Sequence, residues 1–359
     1  MSDFLIIGGG IAGISAAARL SHLGQVNVLE AEDGLGYHAS GRSAAMFEET
    51  YGLPSTIALN RASKDYHMTA NGGVLSDRGL MLVGAAATRE AFAYDMRAMA
   101  MHPMPLDDAR AMVPILDPAK VTEVGYHAEA WDIDTDLLIQ NFARDARRNG
   151  AIIHLKARVA DIHRTATGWA VDSEAGPHET RLLINAAGAW ADHIAHLAGV
   201  GPIRLQPYRR SMARIPAPGG HDVRAWPMLF GPGETWYAKP DAGKLLVSPA
   251  DEDPVEPHDA WADDMVLAEG LARYEAHVTE PVTRVEHSWA GLRSFAPDRQ
   301  LVIGFAADAP GFFWLAGQGG YGMQTSPAAS QLAADLIAGR PPELDPATVA
   351  ALSPHRFAA

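Results

Sequence analysis

The 359-residue chain contains no cysteine. It therefore cannot form a disulfide, use a thiolate nucleophile, hold zinc or an iron–sulfur cluster through sulfur, or link a cofactor to a cysteine. Redox chemistry would then require a bound organic cofactor. Basic residues are also in deficit, since 29 Lys and Arg against 43 Asp and Glu give a formal charge of −14 at pH 7. We expect no nucleic-acid partner, because such a partner requires a basic face.

Long apolar runs and metal-ligand clusters are missing as well. No stretch reaches the roughly eighteen uninterrupted apolar residues of a membrane span, so we expect no transmembrane segment. The apolar stretch from Phe4 to Leu20 has no basic region before it and contains three consecutive glycines and Arg19, which is atypical of a signal peptide. We expect a cytoplasmic protein, with peripheral contact at the inner membrane left open. The histidines show no metal-ligand spacing, and we expect no metal.

The chain begins with a pattern typical of nucleotide binding. A short apolar run at Phe4 to Ile7 stops at a Gly-x-Gly-x-x-Gly motif over residues 8–13, and a helical pattern follows. A second apolar run, Val26 to Leu29, ends on Glu30. This order predicts a strand, a glycine turn, a helix and a second strand that ends in a carboxylate.

Each position of this motif has a physical role. Gly8 allows the tight turn, Gly10 lets the backbone approach a pyrophosphate, and Gly13 lets the helix pack on the strand. The helix N-terminus favours the negative phosphates, and Glu30 can accept hydrogen bonds from both ribose hydroxyls. The motif alone does not separate NAD from FAD.

The rest of the chain favours FAD over NAD. A nicotinamide enzyme would continue with simple βα repeats, whereas residues 34–45 form a loop of small residues with Ser, Arg and backbone N–H groups suited to phosphate. Residues 151–159 and 182–190 are predicted to form further strands, the second followed by a glycine turn. Residues 317–325 are rich in glycine and lead into a predicted helix over 326–337.

These segments resemble the D-amino-acid-oxidase-like superfamily of flavoenzymes, which includes glycine oxidase, sarcosine oxidase and the D-arginine dehydrogenases. The resemblance is strongest to the D-arginine dehydrogenase branch. The motifs that carry it are Tyr37-His38-x-x-Gly41-Arg42-Ser43-Ala44-Ala45, Asp132-Ile133-Asp134-Thr135-Asp136, Trp289-Ala290-Gly291-Leu292-Arg293-Ser294-Phe295 and Gln318-Gly319-Gly320-Tyr321-Gly322. They are spread over nearly the whole chain.

The resemblance implies a non-covalently bound FAD. The residues implied to bind it are Gly8, Gly10, Ile11, Ala12, Gly13, Glu30 and Ala31 on the ADP half, Val159 beside the adenine, Gly188 and Trp190, Gly41, Arg42, Ser43, Ala44, Ala45 and Met46 near the flavin, and Gly319, Gly320, Tyr321, Gly322, Gln324 and Thr325 over the isoalloxazine. Some sarcosine and dimethylglycine dehydrogenases carry a flavin-linked histidine in a similar loop, so His38 is the alternative site of a covalent link.

The implied fold class is α/β plus α+β. Residues 1–80, 141–200 and 291–359 would form a discontinuous, Rossmann-like FAD-binding domain of the GR2 type. Residues 81–140 and 201–290 would form a substrate domain. The second of these segments has short alternating runs, which predict an antiparallel sheet with strands at 208–215, 235–239, 244–247 and 282–286.

A substrate carboxylate in a dry pocket requires arginine, whose planar fork donates two parallel hydrogen bonds. By similarity this residue is Arg293, and four further positions join it. These are Arg210, Tyr237, Tyr51 and the backbone carbonyl of Gly320, which could receive the substrate amine. The resemblance implies an amino acid substrate that loses hydride from the α carbon to the flavin.

The sequence departs from arginine-specific relatives at two positions. Leu80 stands where those relatives carry a carboxylate for the guanidinium, and Met46 stands where they carry histidine. We therefore expect neutral or apolar side chains to be accepted, with Leu80, Met46 and Tyr51 as the wall and Glu48 or Glu49 as a possible compensating charge.

Several functions stay open at this point. The first is oxidative deamination of a D-amino acid to an imino acid and then a 2-oxo acid. The second is oxidation of a secondary amine such as an N-methyl amino acid, and the third is a flavin-bearing subunit that depends on a partner chain. The sequence does not distinguish oxygen from a quinone or the respiratory chain as the electron acceptor.

Overall fold

The computed structural model describes residues 1–357. Its strands are β1 (Ser2–Ile7), β2 (Val26–Leu29), β3 (Met46–Glu48), β4 (Leu75–Asp77), β5 (Leu80–Gly84), β6 (His102–Pro103), β7 (Glu123–His127), β8 (Ala130–Ile133), β9 (Ile152–His154), β10 (Val159–Arg164), β11 (Trp169–Ser173), β12 (Gly176–Asn185), β13 (Gln206–Ile215), β14 (Met228–Phe230), β15 (Tyr237–Asp241), β16 (Lys244–Ser248), β17 (Asp253–Pro254), β18 (His287–Phe295), β19 (Val302–Phe305) and β20 (Phe312–Ala316). Its α-helices are α1 (Ile11–Leu20), α2 (Pro54–Thr69), α3 (Arg89–Ala98), α4 (Leu106–Met112), α5 (Thr135–Arg148), α6 (Ala191–Leu197), α7 (Asp264–Glu275), α8 (Gly322–Ala338) and α9 (Pro346–Leu352).

The first sheet contains the predicted nucleotide-binding unit. Strands β9, β2, β1, β12 and β20 lie side by side and parallel. Strands β10, β11 and β19 extend this sheet with antiparallel pairings. Helices α1, α5 and α8 pack on one face, and α6 packs on the other. The carboxyl ends of β1 and β2 therefore open onto the turn that begins α1, where nucleotides bind in such sheets.

The second sheet has nine strands and is mostly antiparallel. The order β17-β13-β16-β15-β14-β5-β7-β6 is extended by β18, which pairs with β13 from Gln206 opposite Phe295 to Arg214 opposite His287. The pair β14 and β5 is parallel. A third sheet, in the order β3-β8-β4, is small. The mixed α/β architecture confirms the predicted fold class.

Two details differ from the sequence-based prediction. Residues 282–286 do not form a strand, and β18 begins only at His287. The backbone N–H of Val282 donates to the Glu275 carboxylate, seven residues earlier, at 2.6 Å instead of to a neighbouring strand. The predicted helix over 326–337 begins four residues earlier, at Gly322.

The predicted domain limits remain a prediction. Strand β18 runs across the predicted limit at residue 291. Strand β8, from the predicted substrate segment, pairs with β3 and β4 from a predicted FAD-binding segment. Within residues 1–357, no helix is long and apolar enough to cross a membrane.

Candidate functional site

A cleft of about 590 Å³ lies between the glycine turn of the first sheet and strands β13, β15 and β18 of the second. Its lining includes eighteen of the residues that the sequence predicts for the site. They are Gly8, Gly10, Ile11, Ala12, Glu30, Ala31, Arg42, Ser43, Ala44, Val159, Gly188, Trp190, Arg210, Tyr237, Arg293, Gly319, Gly320 and Gly322. The fold therefore brings residues from both ends of the chain to one cleft.

The glycine turn requires its glycines for steric reasons. Gly8 has φ +107°, and a Cβ there would overlap the carbonyl of Ala186. A Cβ at Gly13 would overlap the carbonyl of Gly8, so the close approach of α1 to the end of β1 depends on this residue. These are the roles that the sequence pattern predicts for the first and third glycines.

The start of α1 suits an anion. Gly10 provides no side-chain cap, and the first turn has no acidic residue. Ser40 accepts a hydrogen bond from the backbone N–H of Ile11 at 3.0 Å. Gly10, Ile11 and Ala12 line the cleft, so backbone N–H groups and the positive end of the helix dipole face the space where a pyrophosphate would lie. The residues present fit the ADP half of FAD.

Glu30 is 8% exposed and lies at the wall of the cleft, directly after β2. Its carboxylate accepts hydrogen bonds from the backbone N–H of Gly9 at 2.6 Å and of Glu32 at 2.9 Å. A carboxylate has about four acceptor positions. Two backbone donors therefore orient Glu30 and leave acceptor capacity for ribose hydroxyls.

The predicted flavin loop is held by two basic side chains. The Arg42 guanidinium donates to the carbonyls of Ala260 and Ala290 at 2.9 and 3.1 Å, and it pairs with Asp259 at 2.5 Å. Arg42 thus ties the loop to β18, and its guanidinium already has protein partners. A role for Arg42 toward the flavin stays a prediction.

Lys239 anchors the other end of this loop. It is 8% exposed and lies on β15. Its Nζ donates to the carbonyls of Ala44 and Ala45 at 2.9 and 3.2 Å and lies 2.8 Å from Asp132. Asp132 also pairs with Arg78 at 2.6 Å. This network fixes two loop carbonyls on the protein side.

His38 lies at the cleft wall. Its Nε2 lies 3.1 Å from the Glu32 carboxylate, and its ring contacts the ring of Trp190 with centroids 4.6 Å apart. These contacts engage His38 with protein groups, and they fit the predicted non-covalent attachment.

Arg293 dominates the substrate end of the cleft. Its guanidinium makes no hydrogen bond and no ion pair with the residues that the structure describes. Burial opposes its charge, but the neighbouring hydroxyls of Tyr237 and Tyr51 and the carboxylates of Glu234 and Glu252 raise its pKa above the ordinary value. A charged guanidinium that faces a cleft with unused donors is prepared for an anionic ligand.

Gly320 packs directly against this guanidinium. A Cβ at Gly320 would lie 3.0 Å from Cζ and Nη1 of Arg293. The neighbouring Gly319 has φ +53°, and a Cβ there would overlap the ring of Phe295. The two glycines therefore allow the loop before α8 to approach β18 closely.

Arg210 and Tyr237 complete the wall of the substrate end. Arg210 is 6% exposed, pairs with Glu252 at 3.2 Å, and has a buried Nε without a partner among the described residues. The Tyr237 hydroxyl donates to the sulfur of Met212 at 3.2 Å. Glu252 also pairs with Arg299 at 3.0 Å. Arg210 therefore pairs with a protein carboxylate, which it shares with Arg299, whereas Arg293 has no such partner among the described residues.

Tyr51 lies near the same guanidiniums but outside the lining of the cleft. Its hydroxyl donates to the Glu234 carboxylate at 3.1 Å, and its ring packs against Tyr321 with centroids 5.3 Å apart. Burial raises the pKa of Tyr51, and the charge of Glu234 adds to the effect. Tyr51 therefore remains a neutral hydrogen-bonding group. Glu234 adopts φ +53°, a left-handed conformation that non-glycine residues adopt mostly at constrained sites.

Seven other predicted site residues also lie outside the cleft lining, and several have identifiable structural roles. Gly13 packs on Gly8, as described, and Gln324 and Thr325 are buried in α8. Met46 packs in an apolar cluster with Leu80 and Tyr237. The remaining three are Gly41, Ala45 and Tyr321.

The two candidate compensating carboxylates have protein partners. Glu48 is 5% exposed and lies 2.7 Å from His127. Glu49 pairs with Lys64 at 3.0 Å and with Arg61 at 3.1 Å, and these bonds lower its pKa. Leu80 is 4% exposed and does not line the cleft, so its role as a wall residue stays a prediction.

Sequence reasoning missed three charged residues near the site. They are Glu234, Glu252 and Lys239. Lys239 lies two residues after Tyr237 in the sequence, and this proximity was the one available indication that it lies near the site. The partners of Glu234 and Glu252 are distant in the chain, so their contacts leave no local pattern.

Comparisons with known proteins agree with this geometry. The family model "DAO: FAD dependent oxidoreductase" matches residues 3–336. The chain is 23% identical to the FAD-dependent oxidoreductase domain-containing protein 1 of Bos taurus, over 94% of this chain and 81% of that protein. Among solved structures, L-proline dehydrogenase from P. horikoshii superposes with a TM-score of 0.84 at 20% identity, covering 99% of this chain and 98% of the other. Glycine oxidase from Geobacillus kaustophilus gives a TM-score of 0.84 at 21% identity, covering 99% of both chains. The chain belongs to the DAO family of FAD-dependent oxidoreductases.

Proposed function

We propose that the protein oxidises amino acids at the carbon that carries both the amine and the carboxylate, with D-amino acids as its substrates. The observation that carries this proposal is Arg293, a guanidinium at the cleft with no protein partner among the described residues. FAD, when bound, supplies the acceptor for the hydride that leaves the α carbon. The imino acid formed would hydrolyse to a 2-oxo acid after release.

The residues of the chain have separate tasks in this proposal. Arg293 receives the substrate carboxylate in two parallel hydrogen bonds. The carbonyl of Gly320 accepts a hydrogen bond from the amine, which orients the nitrogen lone pair. The hydroxyls of Tyr237 and Tyr51 and the orphan Nε of Arg210 lie nearby for the remaining polar atoms. Fixing the α carbon in one orientation is the main catalytic contribution that such groups make.

The D configuration is supported by the resemblance to the D-arginine dehydrogenase branch. Oxidation of a secondary amine is the second candidate. It is supported by the shared fold with L-proline dehydrogenase, since proline carries a secondary amine, and the same clamp would hold the carboxylate. Glycine oxidase and iminodiacetate oxidase share the fold as well, and both are named for acids with nitrogen next to a carboxylate-bearing carbon.

The test is anaerobic mixing of the purified flavoprotein with D-amino acids, their L-enantiomers and N-methyl amino acids, while the absorbance of the oxidised flavin is followed. We expect D-amino acids to bleach the flavin fastest. D-leucine amide is the matched control, because it keeps the amine and side chain but lacks the carboxylate that Arg293 would bind. Reduction by the amide as fast as by D-leucine would contradict the proposal, and faster reduction by N-methyl amino acids would favour the second candidate.

A further inference from the structure

The segment from Glu48 to Tyr51 is organised by the side chain of Glu48. Glu48 ends β3, and its Oε1 accepts hydrogen bonds from the backbone N–H of Thr50 at 2.9 Å and from the Thr50 hydroxyl at 2.7 Å. The backbone N–H of Tyr51 donates to the carbonyl of Glu48 at 3.3 Å. These bonds close a turn that places Tyr51 beside the substrate end of the cleft.

Glu48 also joins this turn to separate parts of the fold. Its backbone N–H donates to the side-chain carbonyl of Gln324, in the first turn of α8, at 3.2 Å. Its Oε2 lies 2.7 Å from Nε2 of His127, at the end of β7 in the nine-stranded sheet. Nδ2 of Asn60 on α2 lies 3.1 to 3.3 Å from the carbonyls of residues 48, 49 and 51. The backbone N–H of Glu48 thus joins the turn to α8, whereas its buried carboxylate lies beside the nine-stranded sheet.

The neighbouring Glu49 shows the contrast. Its carboxylate pairs with Arg61 and Lys64 on α2, and both of those side chains are partly or largely exposed. It makes no hydrogen bond to the turn itself among the described residues. The two adjacent glutamates therefore have different partners. Glu49 pairs with side chains of α2, and only the carboxylate of Glu48 is bonded to the turn that carries Tyr51.

We propose that Glu48 is a positioning residue, which places the Tyr51 side chain beside the substrate end of the cleft through the hydrogen bonds of its carboxylate to Thr50 and its contact with His127. The inference rests on the proposed function, in which Tyr51 contacts the substrate. Residues 49–53 contain no helix or strand, so their order depends on side-chain bonds, among them those at Glu48 and Asn60 and the bond from Tyr51 to Glu234. Glu48 consequently acts through Tyr51 and does not bind the substrate side chain.

The test compares Glu48→Gln with the matched control Glu49→Gln in the full FAD-bound protein. The binding probe is 2-aminoisobutyrate, which has an amine and a carboxylate but no α hydrogen, so it binds without reducing the flavin. We expect Glu48→Gln to raise the Kd of the probe, and the KM of the best D-amino acid, roughly tenfold, the size of one lost hydrogen-bonded contact. The limiting rate of flavin reduction should change less than about twofold. The substitution is expected to weaken binding of the substrate and of the transition state equally, which leaves the step between them unchanged.

A double-mutant cycle with Tyr51→Phe separates positioning from a general structural role. If Glu48 acts through the Tyr51 hydroxyl, adding Glu48→Gln to Tyr51→Phe should raise the Kd of the probe by less than about twofold. His127→Gln changes the contact between Glu48 and His127 from the side of the sheet and should raise the Kd of the probe in the same way. This second variant tests the proposal if Glu48→Gln does not fold.

Three outcomes would overturn the inference. A wild-type Kd in both Glu48→Gln and His127→Gln would show that the turn does not depend on Glu48. A full tenfold effect in the Tyr51→Phe background would show that Glu48 acts on another group, and an equal effect of Glu49→Gln would show that local charge is responsible. A wild-type protein that neither binds the probe nor is reduced by any amine would instead refute the proposed function, and the inference with it.

Discussion

The ion-pair partners of the two arginines decide which of them can bind a substrate carboxylate. Arg210 faces Glu252 at 3.2 Å, so its charge is largely satisfied within the protein. Arg293 has no such partner among the described residues and packs against a glycine backbone. A substrate carboxylate therefore gains most at Arg293, where a bidentate pair forms without displacing a protein carboxylate.

Replacing Arg293 with methionine should remove this pair while roughly keeping side-chain length. Loss of one partner of a desolvated charge pair costs about 2 to 5 kcal/mol, which corresponds to a fall in kcat/KM of roughly 30-fold to several thousand-fold. FAD should stay bound. The measurement is steady-state kinetics with the best amino acid, together with the flavin content of the purified variant.

Arg284→Met is the matched control for this substitution. Arg284 is 66% exposed and pairs with Glu286 outside the cleft, and surface ion pairs of this kind contribute little. We expect its kcat/KM to stay within about twofold of wild type. Wild-type turnover by Arg293→Met would place the carboxylate clamp elsewhere.

Glu30→Ala tests the cofactor end of the cleft. Each charge-assisted hydrogen bond from ribose to the carboxylate is worth about 1.5 to 3 kcal/mol, so the Kd of FAD should rise at least tenfold. Equilibrium dialysis of the apoprotein against FAD gives this Kd. Glu174→Ala, at an exposed turn between β11 and β12, is the control and should leave it unchanged. An unaltered Kd in Glu30→Ala would show that the ribose lies elsewhere.

At the scale of elements, the contact between α2 and α8 predicts a dependence of stability on pH. His67 on α2 is fully buried, and its Nε2 lies 2.9 Å from the carbonyl of Gln324 on α8. Burial lowers the pKa of His67 to about 4, and the bond to Gln324 offsets only part of this effect. An unfolded histidine has a pKa of about 6.5. The unfolded chain therefore takes up a proton at pH values where the folded chain does not.

The free energy of unfolding should accordingly be highest above pH 6.5 and fall as the pH drops from about 6.5 to about 4, by roughly 2 kcal/mol at pH 5 for this one group. Urea denaturation at pH 7.5 and pH 5 measures the difference. His67→Gln keeps an N–H donor but cannot titrate, so it should show a smaller loss between the two pH values. An equal loss in both proteins would exclude His67 as the source.

Elements were predictable from the sequence where their cause is local. Gly13 is one case, because a Cβ there would overlap the carbonyl of Gly8 within the strand, turn and helix that the motif itself encodes. Residues 282–286 are the opposite case, because their alternation suggests a strand, but the tertiary fold decides whether a partner strand lies alongside. The bond between Tyr51 and Glu234 joins residues 183 positions apart, and no local pattern encodes such a pairing.

At the scale of the whole molecule, the absence of cysteine and the contacts of His38 together favour FAD held without a covalent bond. His38 contacts Glu32 and Trp190 at the wall of the cleft. We expect purified protein to be yellow and to release intact FAD into the supernatant on heat or acid denaturation. Flavin that stays with the precipitated polypeptide would indicate a covalent link, and His38→Ala would then be expected to release it.

The substrate preference follows from how the two sheets and the small third sheet meet around the cleft. Leu80 on β5 and Met46 on β3 belong to one apolar cluster with Tyr237, whereas Glu49 is paired with Lys64 and Glu48 lies 2.7 Å from His127. Leu80 and Met46 do not line the cleft themselves, but their cluster borders it through Tyr237, so a substrate guanidinium at this end would meet apolar groups where a carboxylate would be needed. We expect D-leucine or D-methionine to match or exceed D-arginine in kcat/KM.

Measurement of kcat/KM for these three amino acids at one pH and two salt concentrations tests the preference. Leu80→Glu is the informative variant, because it places a carboxylate in the wall and should raise kcat/KM for D-arginine relative to D-leucine at least tenfold, an effect that salt should weaken. A wild-type enzyme that strongly prefers D-arginine would refute the expectation from Leu80. Attention would then turn to Glu234, which has no cationic partner within 4 Å among the described residues and accepts a hydrogen bond from Tyr51. In that case Glu234→Gln, and not a change at Glu48 or Glu49, should abolish the preference.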